Sequence, residues 1–224
     1  MTINGKEIHV YGATDKPLPV VYLHTFGNEG QRVWEQCRKM GTRRFVLVSI
    51  SGLDWNADMS PWPIDRMFEG DEPCAGRGRE WLRTLVEEVV PQAEAGLQVA
   101  GRYLAGYSLA GLFAYWAACN TDCFEGIVSG SGSFWFPGFM DYAVTHDFVQ
   151  KLRAAYFSLG DRERITRNEV LATVEDNTRK LAANVAAKGI PTEFRLNNGN
   201  HYMQADWRMA KGIQWLLTET KKKI

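Results

Sequence analysis

Two continuous apolar runs separated by a helical segment constrain the fold of this chain most. "LPVVYLHTF" (18–26) and "RRFVLVSISG" (43–52) have no alternation of polar and apolar residues, which is typical of strands buried on both faces. The "NEGQRVWEQCRKMG" segment between them has helical composition and stops at Gly41, a residue suited to a helix C-terminus. A strand, a helix and a second buried strand predict a parallel pair, which requires helices on both faces of its sheet.

The rest of the 224 residues continues this alternation. "INGKEIHVYG" favours an antiparallel edge strand, with Asn4 and Gly5 forming a tight turn. The Pro- and Gly-containing stretch "ADMSPWPIDRMFEGDEPCAGRG" is expected to be a long loop, and neither an internal repeat nor a linker interrupts the pattern. The sequence therefore predicts one α/β domain spanning 1–224, with a mostly parallel central sheet and helices on both faces. Further strands are predicted at "GRYLAGYS", "EGIVSGSGSF", "RAAYFSLGDRE" and "IPTEFRLNNGNH", and further helices at "REWLRTLVEEVVPQAEA", "LAGLFAYWAACN", "ATVEDNTRKLAANVAAKG" and "WRMAKGIQWLLTETKKK".

Composition excludes several classes of partner. Lys plus Arg and Asp plus Glu are both 26, so nothing indicates a nucleic-acid surface. The start "MTINGKEIHVYG" lacks the basic and apolar regions of a signal peptide, and no apolar run approaches the roughly 18 residues of a membrane helix. We expect a cytoplasmic protein without membrane contact, whose four cysteines are reduced. No metal site is expected, because "CNTDC" has no nearby His or Cys pair to complete it.

A serine stands where an apolar strand hands over to a helix, in "YLAGYSLAGLFAYWA". Ser108 has small residues two positions away on either side, Gly106 and Ala110, which a very sharp strand-to-helix turn needs where the two backbones approach. The helix would aim free N–H groups at a developing oxyanion, with Leu109 supplying one donor. Ser108 is thus a candidate nucleophile, and simple strand–helix packing is the alternative interpretation.

A serine nucleophile needs a base and an orienting carboxylate. Among four histidines, His201 in "NNGNHYM" follows the last predicted strand and is the best candidate base. The acid should follow a strand between Ser108 and His201, where "YFSLGDRE" offers Asp161 and Glu163.

The ordered elbow, acid loop and histidine resemble the putative-esterase family of α/β-hydrolases, which includes esterase D-like and trilactone-siderophore esterases. "AGYSLAGLFA" is similar to the family's nucleophile elbow, "LGDRE" to its acid segment and "GNHYM" to its histidine loop. The resemblance implies an α/β-hydrolase fold and favours Glu163, three positions after Gly160, as the acid. "VVYLHTFGNEG" is similar to the family's oxyanion loop, so the second donor would be the N–H of Thr25 or Phe26.

The resemblance implies a serine carboxylesterase that works through an acyl-enzyme and needs no cofactor. Aromatic residues in two loops at the predicted catalytic edge could bind a small-molecule ester. With no basic cluster nearby, neutral short-acyl esters of a sugar or aryl alcohol are the expected substrates. Alternatives are a siderophore trilactone esterase, an acyltransferase or thioesterase with the same residues, and an inactive hydrolase-like binding protein; a homo-oligomer is compatible with the sequence. The aromatic candidates for substrate binding are Trp55, Trp62, Phe134, Trp135 and Phe136.

Overall fold

The computed structural model describes residues 1–66, 70 and 72–221 of the chain. Its strands are β1 Thr2–Ile3, β2 Lys6–Tyr11, β3 Leu18–His24, β4 Val46–Ser51, β5 Pro63–Ile64, β6 Cys74–Ala75, β7 Val99–Tyr107, β8 Gly126–Gly130, β9 Ala154–Gly160 and β10 Thr192–Asn197. Its helices are α1 Glu29–Lys39, α2 Trp55–Asp58, α3 Gly78–Thr84, α4 Val90–Ala93, α5 Leu109–Ala118, α6 Phe139–Thr145, α7 Glu169–Ala172, α8 Val174–Ala187 and α9 Ala205–Lys221, with a π-helical segment, Leu85–Val89, joining α3 to α4.

Eight strands form one sheet in the order β1-β2-β4-β3-β7-β8-β9-β10. β2 is antiparallel to both of its neighbours, β1 and β4. The other six strands of the sheet, β4, β3, β7, β8, β9 and β10, are parallel to one another. Hydrophobic cores cover both faces: α1 and α9 pack on one, whereas α3 to α6 and α8 pack on the other. The predicted mostly parallel α/β sheet is confirmed, including its antiparallel edge.

Local sequence chemistry explains the edge hairpin. Asn4 and Gly5, between β1 and β2, both have positive φ angles, of 48° and 77°. This is the backbone of a two-residue hairpin turn, and Asn-Gly is the pair that adopts it most readily.

The predicted long loop between β4 and α3 contains more regular structure than its composition indicates. Its first turn forms α2, and β5 and β6 pair into a small antiparallel ribbon. Part of this predicted loop, residues 67–69 and 71, lies outside the described residues. Because α2 follows directly after β4, the segment places Trp55 at the carboxyl edge of the sheet.

Parallel strands bring distant parts of the sequence to the same edge. The carboxyl ends of β3, β7, β9 and β10 are His24, Tyr107, Gly160 and Asn197, and the residues that follow them emerge at one edge. In open α/β sheets this is the edge where ligands bind. Among the described helices, none is long and apolar enough to cross a membrane.

Candidate active site

Ser108 lies at a sharp turn between β7 and α5. Its φ of 58° and ψ of −125° are unusual for a residue with a side chain, and such a conformation costs on the order of 1–3 kcal/mol. The turn requires glycine two residues earlier, because a Cβ on Gly106 would lie 2.3 Å from the backbone oxygen of Ala110. Ser108 N–H donates to Gly130 O at 2.9 Å, which ties the turn to β8.

His201 follows β10 and lies within hydrogen-bond distance of both predicted partners. Its Nε2 is 3.1 Å from Ser108 Oγ, and its Nδ1 is 2.8 Å from Glu163 Oε2. Tyr107 donates from its hydroxyl to the backbone oxygen of His201 at 2.7 Å. Residues separated by up to 94 positions in the chain therefore form one hydrogen-bond network.

The Glu163 carboxylate is buried, with 4% of its side chain exposed. Its Oε1 accepts hydrogen bonds from Gly160 N–H at 2.7 Å and from the Ser131 hydroxyl at 2.6 Å. Burial alone would raise the pKa of Glu163. The hydrogen bond and charge of His201, together with the Ser131 and Gly160 donors, outweigh burial and hold the pKa below its usual range. The carboxylate is thus kept ionised beside the imidazole.

Asp161, the other acid in this loop, has a different position. It is exposed, and its Oδ1 accepts a hydrogen bond from Gly199 N–H at 2.9 Å. The structure therefore brings Glu163 to His201 and leaves Asp161 holding the backbone of the histidine loop.

Arg208 contributes a buried charge that the sequence analysis did not identify. Its side chain has no exposed surface, and its Nη1 donates to Glu163 Oε1 at 3.2 Å. A signal existed in the sequence: Arg208 shares a four-residue spacing with Gly212, Leu216 and Thr220, all of which face the core from α9. A charged residue in a buried helical row requires a buried partner.

The candidate oxyanion donors differ in availability. Leu109 is the first residue of α5, where an N–H has no acceptor within the helix. The N–H of Thr25 donates to Ile50 O at 2.8 Å, so it is already engaged, and Thr25 does not offer the second donor. The N–H of Phe26 has no acceptor among the described residues, which leaves Phe26 as the candidate.

His24 is a core residue next to the site. Its Nε2 accepts a hydrogen bond from the Trp81 indole N–H at 3.0 Å, and its ring packs edge-on against Trp81 and Phe113. Burial lowers the pKa of His24 to about 3, so the ring is neutral at ordinary pH. It shapes the loop that carries Phe26.

Two cavities meet at Ser108. The larger has a volume of about 380 Å³ and contains His201 in its wall, whereas the smaller, about 130 Å³, lies on the side of Leu109 and Ser133. Trp55 forms part of both walls. The larger cavity is mostly apolar, and its other apolar side chains are Leu23, Phe26, Val33, Tyr107, Tyr202 and Met209.

The predicted aromatic residues divide between the site and the core. Trp135 lines the smaller cavity and Trp55 lines both. Phe134 and Phe136 are 0% and 2% exposed in the core, and Trp62 packs on Phe136. The structure does not bring these three to Ser108: the turn after β8 directs the rings of Phe134 and Phe136 toward the core, and Trp62, from the segment between α2 and β5, packs on Phe136 and donates to Pro137 O.

No group of three or more His, Cys, Asp or Glu side chains within residues 1–66, 70 and 72–221 could hold a metal ion. The chemistry available at this edge is that of a serine hydroxyl, an imidazole, a carboxylate and backbone N–H groups.

The sheet, its flanking helices and the serine at a strand-to-helix turn define the α/β-hydrolase class. Residues 7–210 match the sequence model of the family described as "Putative esterase". The chain belongs to this family and is a hydrolase of carboxylic esters.

Solved structures of similar fold carry esterase or hydrolase names. The chain is similar to the siderophore hydrolase EstA from Aspergillus nidulans, with 21% identity, a TM-score of 0.73, and coverage of 95% of this chain and 90% of that one. It is also similar to an IroE-like serine hydrolase from Shewanella oneidensis, with 18% identity, a TM-score of 0.77, and coverage of 95% and 76%. A ferulic acid esterase shares 18% identity at a TM-score of 0.62, with coverage of 96% and 98%. None of the curated proteins compared with this sequence matches it significantly.

Proposed function

We propose that the protein is a serine carboxylesterase with Ser108 as nucleophile, His201 as base and Glu163 as the acid that orients His201. The observation that carries this proposal is the hydrogen-bond network from Ser108 Oγ through both ring nitrogens of His201 to a buried Glu163 carboxylate. A serine hydroxyl is a weak nucleophile, and this arrangement is the one that activates it.

The mechanism follows from the positions of the donors and acceptors. His201 Nε2 takes the proton of Ser108 as Oγ attacks the ester carbonyl, and Glu163 stabilises the imidazolium that forms. The imidazolium then gives its proton to the leaving alcohol oxygen, and an acyl group remains on Ser108. Water, deprotonated by His201, attacks the acyl-enzyme and releases the acid while the proton returns to Ser108.

The oxyanion formed in each half-reaction needs hydrogen-bond donors. We assign this role to the N–H groups of Leu109 and Phe26, which have no acceptor in the helix or loop that contains them. Loss of one such donor typically costs a factor of about 10² to 10³ in rate.

The two cavities support a proposed placement for the two halves of the substrate. The leaving oxygen must reach His201, so the alcohol group belongs in the 380 Å³ cavity, whose wall includes His201. The acyl group then occupies the 130 Å³ cavity beside Leu109, Ser133 and Trp135. A space of this size accommodates a short acyl chain, and the larger apolar cavity accommodates an aryl or sugar alcohol.

Electrostatics favour a neutral alcohol. The charged residues in the larger cavity are Glu29, Arg32 and Asp206, and Arg32 lies 3.8 Å from Glu29. Arg32, the one Lys or Arg among the described residues of this cavity wall, is therefore compensated, and an anionic group would meet net negative charge. A siderophore trilactone is the alternative substrate, because the EstA neighbour is named a siderophore hydrolase. This alternative predicts that an anionic substrate is preferred over a neutral one.

Labelling with a fluorophosphonate probe tests the nucleophile. The wild-type protein should be modified at Ser108, and Ser108→Ala or His201→Ala should lower kcat on a p-nitrophenyl ester by roughly a thousand-fold or more while the circular dichroism spectrum is retained. Ser51→Ala, at the end of β4 and separated from β7 by β3, is the control and should label normally. A folded Ser108→Ala protein with wild-type turnover would refute the mechanism, and an unlabelled wild-type protein would favour an inactive binding protein.

A panel of esters tests the substrate. We expect aryl acetates and acetylated or feruloylated sugars to give higher kcat/KM than long-chain acyl esters, thioesters or ferric trilactone siderophores. Trp135→Ala should enlarge the smaller cavity and raise kcat/KM for butyryl and hexanoyl esters relative to acetyl esters. Tyr202→Ala, on the rim of the larger cavity, should change KM for the alcohol part without changing acyl preference. A trilactone turned over faster than every neutral ester would reverse the assignment.

A further inference from the structure

Although Arg208 is far from Ser108 in the sequence, its guanidinium makes several hydrogen bonds with residues of the candidate site. Its Nη1 lies 3.2 Å from Glu163 Oε1 and 3.1 Å from the hydroxyl of Tyr107. Its Nη2 donates to the backbone oxygens of Asn198 and Asn200, at 3.3 and 3.0 Å. One guanidinium thus joins the orienting carboxylate to the loop that carries the base.

We propose that Arg208 is a positioning residue that balances the buried charge of Glu163 and fixes the loop carrying His201. This inference rests on the proposed roles of Ser108, His201 and Glu163. Arg208 has no contact with Ser108, and it acts through Glu163 and the loop that carries His201.

The charge argument starts from burial. Glu163 carries a negative charge in a site where only 4% of its side chain is exposed, so the charge requires a compensating cation. Arg208 supplies that cation on Oε1, whereas His201 binds Oε2. With Arg208 present, the pair is already balanced before His201 accepts a proton. Without it, the buried carboxylate would lack this cation and would favour a proton on His201 more strongly, and a protonated imidazole cannot act as base.

The loop argument depends on the geometry of the guanidinium. Arg208 uses two nitrogens to bind a carboxylate, a hydroxyl and two carbonyls at once, which a single ammonium group cannot reproduce. Asn200 immediately precedes His201 and Asn198 lies three residues before it, so these bonds set where the imidazole lies relative to Ser108 Oγ.

Other ionisable groups near His201 belong to every element packed against it. They are Tyr107 from β7, Asp161 and Glu163 from the loop after β9, Tyr202 from the loop before α9, Asp206 and Arg208 from the first turn of α9, and Glu29 and Arg32 from α1 across the larger cavity. All but Arg208 stay unchanged in the variants below, so a shift in the pH profile reports the guanidinium charge.

The pH dependence of Ser108 labelling by a fluorophosphonate probe tests the proposal without knowledge of the natural substrate. Arg208→Met removes the charge and should move the acidic midpoint of the labelling rate upward by about one pH unit. Arg208→Lys keeps the charge but loses the loop bonds, so its midpoint should stay within about 0.3 pH unit of wild type while its rate falls at least about tenfold. The control is Arg102→Met. Arg102 lies in the first half of β7 and binds the carboxylate of Glu94, so this variant also removes a guanidinium from an ion pair, and it should change neither the midpoint nor the labelling rate.

The outcomes separate this proposal from the proposed function. If Ser108 in the wild-type protein is not labelled, the esterase mechanism fails. If it is labelled and folded Arg208→Met keeps the wild-type midpoint, the charge-balancing role is wrong. Should Arg208→Met not fold, Arg208→Gln replaces it with the same expected shift. Should neither fold, Arg208→Lys decides: a slower rate at an unmoved midpoint supports the proposal, and a wild-type rate or a displaced midpoint overturns it.

Discussion

At the residue scale, two acids two positions apart have different environments because they meet different donors. Glu163 accepts from Gly160 N–H and from Ser131 and is nearly inaccessible to solvent. Asp161 is exposed and accepts from Gly199 N–H. Only the first is placed to stabilise a positive charge that develops on His201.

A pair of isosteric substitutions tests this difference. Glu163→Gln retains the shape but not the charge, and it should lower kcat on a p-nitrophenyl ester by at least about a hundred-fold, because the imidazolium loses its counter-charge. Asp161→Asn, the matched control, should lower kcat by less than about tenfold, since the amide oxygen can still accept from Gly199 N–H. A larger loss in folded Asp161→Asn than in folded Glu163→Gln would reverse the assignment.

At this scale, the sequence predicted candidate site residues where neighbouring residue types or the order of strands point to them. Ser108 has small neighbours, and His201 and Glu163 follow predicted strands in the expected order. Ser131 has no such signature, and the buried row of α9 that includes Arg208 does not indicate which carboxylate Arg208 meets, because these contacts depend on how β8 and α9 meet across the sheet. For the aromatic loops, a position in the sequence was not sufficient to predict contact with the site. Phe134 follows a strand at the carboxyl edge of the sheet, but its ring is buried in the core.

At the element scale, the join between β7 and α5 depends on one glycine. A Cβ on Gly106 would lie 2.3 Å from Ala110 O and 2.4 Å from its carbonyl carbon, and these backbone atoms cannot move without shifting α5. Gly106→Ala should lower the free energy of unfolding by about 3 kcal/mol, measured by urea denaturation.

Gly27 is the matched control for that substitution. It has no positive φ, and a Cβ there would meet only the Glu29 carboxylate, at 3.8 Å or more. Gly27→Ala should therefore change the free energy of unfolding by less than about 1 kcal/mol. Equal losses in the two variants would show that the close approach of strand and helix is not what requires glycine at 106.

Strand positions were predictable where a short, continuous apolar run is bounded by turn residues. Two such runs predict strands buried on both faces, and they form β3 and β4. The segment from Asp54 to Arg77 was less predictable, because its Pro and Gly residues indicate turns while its regular structure comes from short pairings such as β5 with β6.

At the scale of the whole molecule, the end of β3 contributes both to the stability of the fold and to the candidate site. His24 ends that strand, is buried against Trp81, and precedes the loop that carries Phe26. In the unfolded chain its pKa returns to about 6.5, whereas burial holds it near 3 in the folded protein. Between these values the unfolded state binds a proton that the folded state does not, so stability falls as the pH decreases from about 6.5 toward 3.

Replacing His24 tests how much of the acid sensitivity comes from this one ring. From pH 7 to 4.5 the ring should cost the wild-type protein about 3 kcal/mol of unfolding free energy. His24→Gln keeps an acceptor for Trp81 N–H but cannot titrate, so the difference in unfolding free energy between the two pH values should shrink by about that amount in urea denaturation. His9→Gln, which removes an exposed histidine from β2, is the control and should leave the difference unchanged. An unchanged pH dependence in His24→Gln would mean that other groups, such as the Glu163 carboxylate with its lowered pKa, account for the acid sensitivity.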